Sequence, residues 1–325
     1  MDWNEKTCNG WLDELLKKYF IFEFKYIHLC KINCAMKNLN LEDFRVERPV
    51  ELQKMPTKVE VDIDDEKKEK KLNKVRNKMS ELQDTMYAHN RYAVLICLQG
   101  MDTSGKDSLI REVFKEMNPR GVVVHSFKTP NSTELEHDYL WRHYIALPER
   151  GKFAVFNRTH YENVLVTRVH PEYILGENIP GIEKVEDITD EFWEKRFEQI
   201  NNFEKHITEN GTIVLKFFLH LSKEEQRERL LRRLEEGKHN WKFSPGDLKE
   251  RDEWEDYQRF YEEAINKSSK ENAPWFVVPA DDKELARYIV GKIILQEMEK
   301  YTDIKNPELE EDIKANIQLY IDKLS

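Results

Sequence analysis

The chain has little that would serve crosslinking, membrane insertion or a general nucleic-acid-binding surface. Its four cysteines, Cys8, Cys30, Cys34 and Cys97, are too few and too unevenly spaced in 325 residues for a disulfide framework, so a reduced compartment is expected. Cys30 and Cys34, with His28 nearby, lack the second ligand pair of a zinc site and read as residues of an apolar face. No window reaches the ~18 uninterrupted apolar residues of a membrane span. The most apolar early stretch, residues 19–35, is interrupted by Glu23, Lys25, His28 and Lys31. Met1 is not followed by the basic, apolar and small-residue pattern of a signal peptide, and the cytoplasm is the expected location. Positive charge is not in excess: 52 Lys and Arg face 62 Asp and Glu, for a net charge of -10. That balance excludes a broad basic face for nucleic acid. Any polyanion has to be held by a local basic site.

What is present is a chain long enough for one main domain, 39% hydrophobic and 35% charged, as expected of a globular protein with a highly charged surface. Short apolar segments at residues 92–98, 122–127, 152–156, 212–219 and 275–279 read as buried strands. Helical patterns lie between them. One runs from the end of a glycine loop to the turn at Asn118, Pro119, Arg120 and Gly121. A second is opened by a Thr133 and Glu136 capping pair and runs towards Leu147. A third covers residues 190–209. Ser222 with Glu225, Asp247 with Glu250, and Asp282 mark three further helix starts, the second of these helices ending near Lys267. Before the first strand, Leu72, Val75, Met79, Leu82 and Met86 recur every three or four residues, which predicts a helix over residues 64–90. This alternation predicts an α/β fold: a five-stranded parallel sheet covered on both faces, with ligands gathered at the carboxyl ends of the strands.

Gly100, Met101, Asp102, Thr103, Ser104, Gly105 and Lys106 satisfy GxxxxGK between a predicted strand and a predicted helix. The glycines let backbone N–H groups turn toward phosphate oxygens, the helix N-terminus adds its positive end, and Lys106 supplies a mobile cation. The hydroxyl that usually follows the lysine and holds Mg²⁺ is replaced by Asp107, with Ser108 one position late. Asp102, a carboxylate inside a phosphate-binding loop, is the natural substitute.

GMDTSGKD, SFKTP, LWRHYIALPERG, FNRTHYENVLVTRVHPE and HNWKFSPGDLKERDEWEDYQRFYEEA occur in this order. Together they resemble the polyphosphate kinase type 2 family over about residues 41–301. The resemblance implies a three-layer P-loop kinase fold with a helical lid and extra N-terminal helices. It also implies reversible transfer of a phosphoryl group between inorganic polyphosphate and ADP or AMP, or GDP or GMP, with Mg²⁺ or Mn²⁺. Carried over by position, Asp102 is an acid/base or metal ligand, the second motif starts at Asn157 and Arg158, and the lid spans about residues 227–254. Asn157 stands where many members have aspartate, as in the subgroup that accepts both mono- and diphosphates. Because an amide lacks the aspartate's charge, Glu162, one turn beyond Arg158, is the expected second metal ligand.

Arg158 and Arg168 follow the third strand, where side chains enter the ligand crevice, and their planar forks suit phosphate. Salt bridges to Glu162 or Glu149 are the bland alternative. Lys128 follows the second strand, and Arg142 is placed to clamp the acceptor phosphate. His160 is expected to line the crevice beside Tyr161, with no ligand or triad context for a metal or phosphohistidine role. Arg232, Arg233 and Lys242 in the lid supply a basic track. Trp254, Tyr257 and Phe260, spaced by three, favour packing over base stacking.

Two other functional readings share the glycine loop: an ATP-dependent nucleoside or nucleotide kinase, and a non-enzymatic nucleotide-binding switch. Residues 1–40 read as an extension of unassigned role, with Met36 an alternative start. Residues 302–325 read as an amphipathic helix with Leu309, Ile313, Ile317, Tyr320 and Leu324 on one face. That face fits either the same chain or a second copy in a dimer or tetramer.

Overall fold

The computed structural model describes residues 39–61 and 64–325. Cys8, His28, Cys30, Cys34 and Met36 lie outside the described residues. Helix α1 (Asp65–His89) is capped by Asp64, whose side chain accepts from the Lys67 amide, and ends at Asn90 in the left-handed conformation. Strand β1 (Ala93–Gln99) leads into the loop before α2 (Lys106–Val113), followed by β2 (Val122–Ser126) and β3 (Phe153–Asn157). Helix α3 (Asp190–Glu209), β4 (Thr212–His220), α4 (Lys223–Glu235), α5 (Pro245–Asp252) and α6 (Trp254–Ser268) follow. Strand β5 (Trp275–Pro279), α7 (Lys283–Glu299) and α8 (Glu311–Leu324) complete the order.

All five strands pair in parallel in the order β2-β3-β1-β4-β5. Chain order reverses at β1, with β3 on one side and β4 on the other, so the crevice of a doubly wound sheet opens at the carboxyl end of β1. All seven residues of β1 are buried, because helices cover both faces of the sheet. Val94, Ile96 and Leu98 pack with Val75, Met79, Ile289 and Ile293 of α1 and α7. The alternate residues Leu95 and Cys97 pack with Phe203 and Ile207 of α3. This is the three-layer α/β arrangement expected from the sequence.

Four helix starts or ends differ from their sequence signals. The capping box is Asn131 with Glu134, not Thr133 with Glu136: Asn131 Oδ1 accepts from the Glu134 amide, and Glu134 Oε2 from the Asn131 amide. The expected helix to Leu147 is two four-residue turns, Ser132–Leu135 and Trp141–Tyr144, separated where Asp138 accepts from the Leu140 amide. Ser244, not Asp247, caps α5, because Pro245 opens that helix and Ser244 Oγ accepts from the Gly246 amide. Asp247 is thereby left to pair with Arg233 at 3.0 Å. Helix α2 stops at Val113, short of the Asn118 turn.

Candidate functional site

Gly100 and Gly105 open and close the loop with φ of +151° and +104°. A Cβ at Gly100 would lie 2.9 Å from Ser104 Oγ and 3.0 Å from the Leu219 carbonyl oxygen, so glycine is required there. Gly105 is also the residue before α2 and has no side chain to cap it, which leaves the first amides of α2 directed at the loop. Lys106 Nζ crosses back to donate to the Gly100 carbonyl at 2.6 Å and the Met101 carbonyl at 3.2 Å. Withdrawn from bulk water and facing the Arg158 guanidinium, its ammonium has a pKa lowered to about 8.

Arg158, directly after β3, holds φ of 60°, a left-handed conformation that costs a non-glycine residue on the order of 1 kcal/mol. The turn aims its guanidinium at two carboxylates: Nη2 donates to Asp102 Oδ1 at 2.8 Å and Nη1 to Glu162 Oε2 at 3.1 Å. Glu162, the stronger influence, and Asp102 together raise the Arg158 pKa despite burial. Glu162 Oε1 also accepts from Gln99 Nε2 at 2.9 Å, which ties the arrangement to the end of β1. Asn157 Nδ2 donates to Asp107 Oδ1 at 2.6 Å, so the amide and the residue after the loop lysine hold one another.

Two cavities meet at this junction. One, of about 530 Å³, is walled by the loop residues Thr103, Ser104, Gly105, Lys106, Asp107 and Ser108, by Asn157, and by Arg229, Arg232, Arg233, Lys242 and Lys283. The other, of about 780 Å³, is walled by Lys128, Arg142, Glu134, Tyr139, Tyr173 and Tyr257 among others. Asp102, Phe127, Lys128 and Arg158 belong to both. Among the described residues that wall the smaller cavity, eight cations (Lys106, Lys128, Arg158, Arg229, Arg232, Arg233, Lys242, Lys283) face two carboxylates, Asp102 and Asp107. That is the local basic site a protein of net negative charge needs to hold a polyanion.

Three expected site residues lie elsewhere. His160 and Tyr161 are completely buried and wall neither cavity, because the turn after β3 directs them into the core toward Glu204. Arg168 forms an ion pair with Glu263 and sits 4.4 Å above the Phe260 ring, whereas its neighbours Val166 and Thr167 face the larger cavity. Of the salt bridges expected as an alternative for Arg158, the one to Glu162 forms, inside the crevice, whereas Glu149 pairs with Lys152. Arg142 stands in the wall of the larger cavity, its guanidinium 5.0 Å from the Phe127 ring centroid and 3.3 Å from Glu134. Trp254 and Phe260 are buried and wall neither cavity, consistent with packing, whereas Tyr257, also buried, stands in the wall of the larger one.

Two basic residues carry weight that the sequence reading did not give them. Arg229, only 4% exposed, donates to the carbonyls of Thr103, Ser104, Ala280 and Asp281 and so latches the loop to the end of β5. Lys283 opens α7 immediately after β5 and faces the smaller cavity. Burial, with Arg229 and Arg232 nearby, lowers its pKa to about 8. The strand-end rule that singled out Lys128 applies equally to Lys283.

A sequence profile described as Polyphosphate kinase 2 (PPK2) matches residues 62–174 and 177–306. The chain belongs to the polyphosphate kinase 2 family. Among relatives, it is 48% identical over 251 residues to the ADP-polyphosphate phosphotransferase of Rhodopseudomonas palustris, covering 77% of this chain and 86% of that one. It is 42% identical over 225 residues to the AMP/ADP-polyphosphate phosphotransferase of Meiothermus ruber, covering 69% of this chain and 79% of that one. The crystal structure of polyphosphate kinase 2 from Arthrobacter aurescens TC1 matches with a TM-score of 0.79 at 32% identity, over 89% of this chain and 99% of that chain.

Proposed function

We propose that the protein transfers a phosphoryl group reversibly between inorganic polyphosphate and nucleoside mono- or diphosphates, ADP and AMP or their guanine counterparts. The observation that carries this reading is the cation-rich cavity over the glycine loop, joined at Asp102 and Arg158 to a second cavity large enough for a nucleotide. Family membership supports it. The polyphosphate chain lies along Lys106, Arg232, Arg233, Lys242 and Lys283, and the nucleotide occupies the larger cavity with its terminal phosphate toward Lys128 and Arg142.

A terminal phosphate oxygen of the nucleotide attacks the end phosphoryl of the chain. A new P–O bond forms, the bridging P–O bond breaks, and the shortened polyphosphate leaves with that electron pair. Little proton chemistry is needed, so positioning and charge neutralisation supply most of the catalysis. Lys106 and Arg158 neutralise the transferring group, Asp102 orients the acceptor, and the segment over residues 227–254 closes on the chain as a lid.

Asp102 and Glu162 reach one guanidinium from two sides, so their carboxylates converge beside the loop. This fits Mg²⁺ or Mn²⁺, which take one or two carboxylates and otherwise phosphate oxygens and water. Among the described residues no group of three or more His, Cys, Asp or Glu side chains is placed as a ready metal cage. Asp102 and Glu162 would hold the cation, which supplies further neutralisation of phosphate charge when bound.

The same proposal places the protein in the cytoplasm, without nucleic-acid or membrane partners. Among the described residues no helix is long and apolar enough to cross a membrane. It further holds that α8 joins a second copy. Every residue of that helix is exposed, and Ile313, Ile317 and Tyr320 lie along it. Truncation after residue 308 is expected to reduce the particle mass by light scattering; an unchanged mass argues against that contact.

The donor decides the main reading. Purified protein is given ADP or AMP with Mg²⁺ and either polyphosphate or ATP as sole donor; transfer from polyphosphate supports the proposal, and transfer from ATP alone rejects it.

A further inference from the structure

Between Arg158 and Glu162, which face the cavities, the chain turns two consecutive side chains the other way. His160 and Tyr161 are both fully buried, and both end on the same oxygen: His160 Nε2 lies 3.0 Å and Tyr161 Oη 2.8 Å from Glu204 Oε1. The other oxygen, Glu204 Oε2, accepts from Lys216 Nζ at 2.6 Å. Lys216, at the middle of β4, also donates to Tyr161 Oη at 2.9 Å and to the Ser268 carbonyl at 2.7 Å. The pair is enclosed, with Glu204 1% and Lys216 0% exposed. A carboxylate only accepts, so His160 carries its proton on Nε2. Burial alone would raise the Glu204 carboxyl; Lys216 and His160 reverse that and hold it below its ordinary value, keeping it a charged acceptor.

A buried ion pair is weak evidence for stability, since desolvating two charges offsets their attraction. Its placement indicates what it does here. The turn starts from the left-handed residue Arg158 and is capped by Thr159, whose hydroxyl accepts from the Tyr161 amide at 3.1 Å. His160 and Tyr161 anchor the turn from beneath as Gln99 does from the end of β1, and the rotation of the turn decides whether Arg158 and Glu162 face Asp102.

We propose that Glu204, held by Lys216 and gripping His160 and Tyr161, is a positioning residue that sets Arg158 and Glu162 against Asp102 for phosphoryl transfer. Glu204 walls neither of the two cavities; it acts through the turn. The inference rests on the transfer reaction proposed above.

The test compares Glu204→Gln, His160→Leu, His160→Gln and Tyr161→Phe with the wild type in polyphosphate-dependent transfer and in thermal unfolding. Misplacement of a reacting group by about 1 Å costs on the order of 100-fold. Glu204→Gln and His160→Leu are therefore expected to lower kcat by roughly 10- to 100-fold while KM for both substrates changes little. His160→Gln, which restores a donor to Glu204, should recover most of kcat, and His160→Leu, which withdraws a buried donor, should lower the thermal midpoint yet remain folded at the assay temperature. If Glu204→Gln does not fold, the two His160 variants and Tyr161→Phe decide. A His160→Leu enzyme with wild-type kcat, a loss that appears in KM, or a loss that His160→Gln does not rescue overturns the inference. Absence of transfer in the wild type would reject the reaction itself and is seen separately.

Discussion

Arg158 Nη2 lies 2.8 Å from Asp102 Oδ1, so the carboxylate inside the glycine loop and the arginine after β3 meet where the two cavities join. A loop carboxylate next to phosphate is unfavourable unless a cation accompanies it, and Arg158 is one such cation. Asp102→Asn keeps the shape and removes the charge. We expect kcat for transfer to fall by about 100-fold or more, with KM for polyphosphate unchanged or lower. Steady-state kinetics check this; a variant with wild-type kcat removes Asp102 from the mechanism.

Glu162 bears on the cation. Glu162→Gln retains the acceptor for Gln99 and loses one of the two convergent charges. The Mg²⁺ concentration for half-maximal rate should rise several-fold, as expected when one of few charged ligands is removed. A Mg²⁺ titration unchanged from the wild type would leave Glu162 as an anchor for Arg158 only.

The pH dependence follows from Lys106, whose pKa is lowered to about 8 by burial and by Arg158. Its charged form, which binds phosphate, is present below that value and lost above it. In the free enzyme kcat/KM should therefore fall as pH rises through about 8. Bound polyphosphate favours the ammonium, so the corresponding fall in kcat comes at higher pH. Lys283 shares a value of about 8, and arginine at each position separates them: the limb persists in Lys283→Arg and disappears in Lys106→Arg.

The cations around the smaller cavity divide into a track and a latch. Arg232 and Lys242 are exposed and Arg233 half-buried, so each alanine substitution should raise KM for polyphosphate by no more than about 5-fold, less at high salt. Arg229→Met should behave differently. It strips four carbonyls, two in the loop and two after β5, of their donor in a buried setting, and about 2–4 kcal/mol of stability should be lost, read from denaturant unfolding. A KM effect alone at Arg229 would show that it belongs to the track.

The strands and the glycine loop were legible because apolar runs and GxxxxGK are local signals. Trp275–Pro279 and Asp190–Glu209 match their expected bounds. Capping was less legible: Asn131 and Ser244 displaced the expected caps, since Pro245 fixes where its helix starts and several polar residues in each stretch satisfy the same spacing. The direction of His160 and Tyr161 could not be read, because it depends on how the turn begun by the left-handed Arg158 rotates after β3; that of Arg168 is set by a short helix, Val166–Val169, that carries it to Glu263. Lys283 follows β5 much as Lys128 follows β2 and falls under the same strand-end rule, whereas Arg229 becomes visible only when β5 and α4 are brought beside the loop by the sheet order.

Initial rates of ATP formation from ADP, measured with Mg²⁺ over a grid of ADP and polyphosphate concentrations, test the central claim most directly. Direct transfer between two adjoining cavities predicts ATP from polyphosphate alone, with reciprocal plots that intersect because both substrates must be bound together. No ATP from polyphosphate, or parallel plots that betray a phosphorylated enzyme, would contradict it.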